Sequence, residues 1–508
     1  MKAFLMYKGR DFDLQQGLPW NELALTQDLA LNTLLSAMAL GDSFLFEVAQ
    51  KAVLLGLHDL DTIIYRQQIL KDCLKNPSVV RDIYALAGEA IESRKKTWWG
   101  VSSSSPSLIL YSSVELLQIF ADILKRLKNI TNEHTHKFES EGFAVLFAMI
   151  KKELNDEYFV SIQNHLRELK FRNGVLISAE LGKGNEGINY VLRKPQRKNR
   201  DWMKRVFNQK SPVYTFHIAP QDIAGGQALS QLRDKGINLV ANAVAQSADH
   251  IDSFFNMLRI ELAFYIGCLN LYEHLVQMGE PISFPIPVVA NESRHSFSGL
   301  YDICLALTMK QKVVGNNVNA DNKNLVIITG ANQGGKSTFL RGIGLAQLMM
   351  QCGMFVPAES FSANVYNGVF THFKREEDVT MKSGKLDEEL KRMSEIVDHL
   401  TLNSLMLFNE SFAATNEREG SEIARQITSG LLEKDIKIFF VTHQYEFAHS
   451  YYAKKMENAI FLRADRKADG TRTFKLIEGE PLQTSYGEDL YHRIFRTEKA
   501  AVKEKEDH

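Results

Sequence analysis

The residues best placed to do chemistry lie in one stretch, Gly330-Ala331-Asn332-Gln333-Gly334-Gly335-Lys336-Ser337-Thr338. Their spacing is G-x-x-x-x-G-K-[ST], in which glycines let backbone N–H groups wrap phosphate oxygens. Lys336 is expected to reach the β- and γ-phosphates and Ser337 to give an oxygen to Mg2+, so ATP and Mg2+ are the expected cofactors. A helix opening at this point adds its positive N-terminal dipole. Downstream, the apolar run Leu405-Met406-Leu407-Phe408 ends in Asn409-Glu410. Glu410 has the chemistry of a general base for an attacking water. Asn409 offers a metal-orienting oxygen without charge, so Ser337 and Asn409 form the expected metal set. A third run, Ile438-Phe439-Phe440-Val441-Thr442, ends in His443, placed to sense the γ-phosphate through a hydrogen bond. Lys336, Glu410 and His443 are therefore the expected catalytic residues.

A second chemistry is carried by residues 193–210, which hold eight basic side chains (Arg193, Lys194, Arg197, Lys198, Arg200, Lys204, Arg205 and Lys210) against one acid, Asp201. Trp202 and Phe207 interleave with them, a composition suited to a nucleic-acid phosphate backbone. A solvated loop that needs charge to stay exposed has the same composition.

The elements that must position these groups fall into zones. Leu325–Thr329 reads as a buried parallel strand and Phe339–Met350 as an apolar-periodic helix, the strand–loop–helix context the glycine motif needs. From about Leu23 to Ile162 apolar residues recur at three- and four-residue steps, so this zone is expected to be helical, with a break at Asn76-Pro77 and a loop at Gly100–Pro106. The runs Val175–Ala179 and Ile188–Leu192 predict a β-hairpin, and Tyr214–Ile218 a third strand. A long helix is expected over about 227–279; from Ile237 to Met278 it has no proline, giving a rod of roughly 60 Å that packs on other helices or carries movement between sites. Pro281, Pro285 and Pro287 mark the boundary after it.

Composition bounds the rest. The 508 residues carry 60 Lys+Arg and 61 Asp+Glu, with 45 % hydrophobic and 24 % charged residues, as folded globular chains do. At ~100–200 residues per domain, about three domains are expected. A net charge of −1 excludes a uniformly basic nucleic-acid binder, so any such contact must be local. Four isolated cysteines form no CxxC pair and predict neither disulfide framework nor cysteine zinc site. No window approaches about 18 consecutive apolar residues and no signal segment is evident, so a cytoplasmic protein with no membrane contact is expected.

The segments TGANQGGKSTFLRGIGLAQLMMQCGMFVPAES, SLMLFNESFAATNEREG, VTHQYEFA and TSYGEDL together resemble the MutS family of ABC-type ATPases, which act in DNA mismatch repair. DTIIYRQQILKDCLKNP is similar to the family's core, or lever, domain. The resemblance implies a homodimer through the ATPase domains, each site completed by a partner loop, and places that signature at Ser383-Gly384-Lys385, before a helix Leu386–Leu400. It also implies that Asn332 contacts nucleotide and that His443 is a switch histidine. Asn409 stands where the family usually has Asp, and Val313 where an aromatic stacks on adenine. Gly41-Asp42 with Phe44–Glu47 superficially resembles the mismatch wedge but lies in a helical pattern. The sequence is expected to lack the mismatch-recognition and connector domains, the coiled clamp and, with 22 residues after Tyr486, a C-terminal helix-turn-helix or nuclease domain.

The expected fold is α+β and multidomain. A helical core/lever region at 1–290 contains the small basic β-region at 171–218, an ABC-type P-loop α/β ATPase domain covers 291–490, and a charged tail covers 491–508. Two functions remain open. One is a slow ATPase coupling nucleotide state to a dimeric clamp on mismatched, branched or damaged DNA in repair. The other is an ATP-dependent conformational switch acting on a protein client without direct DNA recognition.

Overall fold

Scarce proline and dense three-and-four apolar spacing make helices of most of the first half of the chain, and short unbroken apolar runs make the main sheet of the second. The computed structural model describes residues 1–98, 105–172, 174–194, 214–289, 292–375, 384–467 and 470–483. These form an α+β structure of helices and mixed sheets that groups into two compact units.

The first unit comprises Met1–Ala3, Ser78–Phe138 and Ala144–Ile260. Its helix Pro106–His134 starts where Ser105 accepts a hydrogen bond from Leu108 N–H and Pro106 sits in the first turn. Phe120 of this helix meets Phe255 of the long helix with ring centroids 5.9 Å apart, both fully buried. Arg94 crosses to the same long helix, donating to Asp252 at 2.5 Å and Asp249 at 2.9 Å. The expected hairpin is present: Leu176–Leu181 pairs antiparallel with Gly187–Arg193. The expected strand at Tyr214–Ile218 is not. These residues have no ladder partner among the described residues, and Tyr214 and Phe216 are more than 80 % exposed. The long helix begins earlier than its apolar stripe indicates, spanning Ile223–Gln277, 55 residues or roughly 80 Å, of which this unit holds the part up to Ile260 and the second unit the rest. It runs through Gly225, Gly226 and Gly236, and a side chain at Gly236 would collide with Ile177 of the hairpin at 2.5 Å.

The second unit comprises Phe4–Pro77, Glu139–Phe143 and Glu261–His508. Its helix Leu60–Lys75 stops at Asn76, before the proline. The wedge-like residues lie in the helix Ser43–Leu54, where the Asp42 carboxylate accepts from Phe44 and Leu45 N–H. The main sheet has six strands in the order Arg472–Glu478, Ala459–Arg466, Leu325–Gly330, Lys437–Val441, Ser404–Asn409, Gly368–Phe373. All neighbouring pairs are parallel except the first. Its inner strands are buried on both faces, which is why they read as unbroken apolar runs. Phe408 and Phe440 stack across adjacent strands at 4.7 Å. A second sheet of Ile286–Val288, Ser360–Asn364, His295–Leu300 and Asn316–Asn319 lies outside the sequence expectations.

Among the described residues two helices, Pro106–His134 and Ile223–Gln277, are after all long and apolar enough to cross a membrane. Half of the first apolar stretch and 78 % of the second are buried in the protein, as in a core helix.

Candidate active site

Because Leu325–Gly330, Ser404–Asn409 and Lys437–Val441 run parallel, the loops after them leave the same edge of the sheet. Registers of Val441 with Ile328 and with Asn409 bring the three strand ends level. Glu410 N–H donates to Val441 O at 2.9 Å and Thr442 N–H to Ile328 O at 3.0 Å, extending both pairings into the loops. Residues more than a hundred apart in sequence thereby meet.

The first loop is lined by backbone. Gly330 and Gly335 take φ of +106° and +87°, which suit glycine. A Cβ on Gly330 would lie 2.8 Å from Ala464 N, and one on Gly334 2.8 Å from Ala331 O. The helix Lys336–Gln351 follows with no side-chain cap, so its first N–H groups are available to an anion. Lys336 Nζ folds back to donate to Gly330 O at 2.9 Å and Ala331 O at 3.1 Å. Burial pushes this ammonium below its usual range, while Glu410 pulls it back up and Arg472 lowers it further.

Ser337 Oγ donates to Asn409 Oδ1 at 2.9 Å, so the two expected metal-side oxygens adjoin. Glu410, at φ +53°, turns its side chain toward His443, whose Nδ1 is 3.8 Å from Oε1. The facing imidazole holds the Glu410 carboxyl below the usual carboxylate range; burial opposes this, and Lys336 and Lys374 reinforce it. At neutral pH Glu410 is thus an ionised acceptor beside an ammonium and an anion-ready helix end.

Two family models match the chain: MutS2 N-terminal domain over residues 58–278 and MutS domain V over residues 326–502. Between them they take in both the helical half and this sheet edge.

The chain belongs to the MutS family.

It is 24 % identical over 424 residues to the DNA mismatch repair protein MutS of Syntrophomonas wolfei, covering 76 % of this chain and 49 % of that protein. It is 32 % identical over 179 residues to that of Thermotoga maritima, covering 35 % of this chain and 22 % of the relative. MutS protein homolog 4 of Mus musculus is 31 % identical over 197 residues, 37 % of this chain and 20 % of that protein. The chain therefore spans about half the length of the Syntrophomonas relative, at 49 %, and less of the other two.

Of the residues singled out in this MutS-family sequence, Lys336, Ser337, Asn409, Glu410 and His443 come together. Gly330 to Gly335 form the loop, with Asn332 and Gln333 exposed and Ala331 and Gly334 buried; Thr338 lies in the first helical turn. Gly384 caps the helix Lys385–His399, while Ser383 lies outside the described residues. Val313 N–H donates to Glu280 Oε1 at 2.7 Å beside a cavity lined by Tyr301, Lys312 and Lys475. Arg193 and Lys194 are in the first unit: Arg193 Nε donates to Ser178 Oγ at 2.9 Å, and Lys194 pairs with Glu168 at 2.8 Å. Arg197, Lys198, Arg200, Lys204, Arg205 and Lys210 lie outside the described residues.

Sequence reasoning missed three residues. Arg472 Nε, from the antiparallel edge strand, donates to Asn332 O at 3.2 Å and braces the loop. Lys374 N–H donates to Asn409 O at 2.9 Å. Gln444 Nε2 donates to Phe412 O at 3.0 Å, tying the His443 loop to the Glu410 loop. Only Gln444 had a signal, its place beside His443; the others belong to no motif spacing.

Proposed function

We propose that this MutS-family chain is an ATPase that binds mismatched, branched or damaged DNA and couples nucleotide state to a dimeric clamp. The observation that carries the ATPase part of the reading is the convergence of Lys336, the Ser337–Asn409 pair and the Glu410–His443 pair at the level ends of three parallel strands. That arrangement fits an ABC-type P-loop ATPase domain over about residues 291–490, with the helical core/lever before it.

The residues present fit ATP and Mg2+. The Gly330–Gly335 loop packs against Ala464 too closely for a Cβ at Gly330 or Gly334, and the uncapped helix start after it offers backbone N–H groups to phosphate oxygens. Ser337 and Asn409 would hold Mg2+, with the phosphates supplying the negative charge that Asn409 lacks. Among the described residues no cluster of three His, Cys, Asp or Glu side chains offers an all-protein metal cage, and Mg2+ on phosphate needs none. When bound, Mg2+ would neutralise charge developing on the phosphates. Glu410 would orient and deprotonate the attacking water, His443 would hold Glu410 and read the γ-phosphate, and Lys336 would leave its two carbonyl partners for the β/γ oxygens. Gly384 and the helix start at Lys385 would serve the partner subunit's site in the homodimer.

The DNA part of the reading is supported by the basic residues around Arg193 and by the names of the relatives. Its test is affinity for homoduplex, mismatched and four-way DNA across a salt series. Phosphate contacts give a steep fall with salt, about 0.9 in log–log slope per contact. The expected result is tighter binding to the mismatched or four-way ligand with such a slope. Salt-independent or absent binding favours the protein-client switch.

A further inference from the structure

The first unit holds a cavity of about 1080 Å3 that the active site does not explain, slightly above the ~300–1,000 Å3 common for ligand sites. Its floor is apolar: Leu117 of one helix, Ile162 and Leu166 of Asp156–Glu168, Leu192 of the hairpin, and Val244 and Ile251 of the long helix. Its rim is cationic, with Arg167, Arg172, Arg193 and Lys194 against a single acid, Glu168, which is already paired to Lys194. Arg167 and Arg172 are exposed and form no ion pair among the described residues. Two aromatic rings, Tyr158 and Phe171, line the cavity as well.

Phe171 has φ +44°, the left-handed region that a bulky residue adopts rarely. Its N–H donates to Glu168 O at 3.1 Å and its carbonyl accepts from Gly174 N–H at 2.9 Å, which hold its backbone beside the cavity.

We propose that this cavity is a binding site for single-stranded DNA, with unpaired bases entering against Tyr158 and Phe171 and phosphates on Arg167, Arg172 and Lys194. The charge and the shape select this occupant. Two guanidinium groups, Arg167 and Arg172, with no ion-pair partner among the described residues complement a polyanion, and an aromatic and aliphatic floor complements base faces. Duplex bases cannot enter because their faces are covered by their stacking neighbours. An acidic peptide would match the rim and leave the floor unfilled. The inference rests on the DNA-binding reading above and deepens it: the unpaired bases of a mismatch or branch point become the feature recognised.

The test is fluorescence anisotropy of a labelled oligothymidylate titrated with the full chain, beside a four-way junction and an abasic oligomer of equal length. The wild type should bind oligothymidylate, and the abasic oligomer should bind at least about fivefold more weakly, the lower end of what one stacked base contributes. Phe171→Gly removes the ring and suits the left-handed backbone, so the variant should keep a cooperative urea transition while oligothymidylate affinity falls about fivefold or more. Arg172→Ala should reduce the single-strand salt slope by about 0.7. Equal affinity for the abasic oligomer, or a stable Phe171→Gly with unchanged affinity, overturns the cavity as a base site. If the junction binds and oligothymidylate does not, this inference alone fails; if neither binds, the DNA-binding reading fails with it.

Discussion

Replacing Glu410 by Gln removes one charge from the site and little else. The amide keeps the side-chain shape, and the backbone keeps its N–H bond to Val441 O at 2.9 Å, so the turn at φ +53° should persist. Lys336 retains its two carbonyl partners, and the Gly330–Gly335 loop does not touch the change. Nucleotide affinity should therefore stay within a few-fold of wild type. What is lost is the ionised acceptor that His443, Lys336 and Lys374 hold below the usual carboxylate range. A positioned general base contributes about 10²–10⁴ in rate, so turnover should fall at least about 100-fold, or about 2.7 kcal/mol of barrier. The pH behaviour has a definite sign. A carboxylate whose folded pKa is depressed contributes stability above its unfolded value of about 4.3, and that contribution disappears as pH falls through the folded value. Glu410→Gln should remove that contribution, lowering stability by a constant amount at neutral pH and flattening the acid limb below pH about 4.3. Single-turnover hydrolysis at saturating ATP and Mg2+, with nucleotide affinity measured separately, reads the two effects apart. A variant with wild-type single-turnover rate would show that the base lies elsewhere and refute the assignment.

Three further outcomes follow from the geometry. Asn409→Asp keeps the acceptor for Ser337 Oγ and adds a charge, so the Mg2+ concentration for half-maximal turnover should fall; an unchanged Mg2+ titration contradicts the metal role. Gly330→Ala should lower stability by roughly 1–3 kcal/mol and weaken nucleotide binding, because its Cβ would meet Ala464 N at 2.8 Å on a φ of +106°; urea midpoints and nucleotide titration check it. Lys437 is buried with Nζ donating to Ala320 O at 2.7 Å, and burial pushes its pKa down to about 7. The unfolded chain holds that proton more tightly, up to about pH 10.4, so wild-type stability should gain a rising contribution above pH 7 that Lys437→Met removes, seen in urea midpoints at about pH 7 and about pH 9.5.

The parts of the site legible in the sequence were those written as contiguous runs. Leu325–Ile328 and Ile438–Val441 are unbroken apolar strands because helices and loops cover both faces, and each ends on a residue with chemistry. That Glu410 faces His443 was not legible, since it depends on the register of Val441 with Asn409. The second sheet was hidden by its composition. Asn316–Asn319 and Ser360–Asn364 are rich in Asn and Ser, which carry weak strand preference, and pair with strands distant in sequence. Tyr214–Ile218 shows the converse, a strand-like alternation with nothing to pair with. The long helix passes Gly225 and Gly226, residues that locally argue for a start after them.

The central claim is that nucleotide state at this sheet edge controls grip on DNA. It is tested most directly by measuring four-way DNA affinity of the Glu410→Gln protein, with Mg2+ throughout, first without nucleotide and then with saturating ATP. Slow hydrolysis holds the ATP state steady during the titration. A coupled clamp should change affinity by about fivefold or more between the two conditions, the low end of ordinary coupling free energies. Equal affinity with and without bound ATP would contradict the coupling.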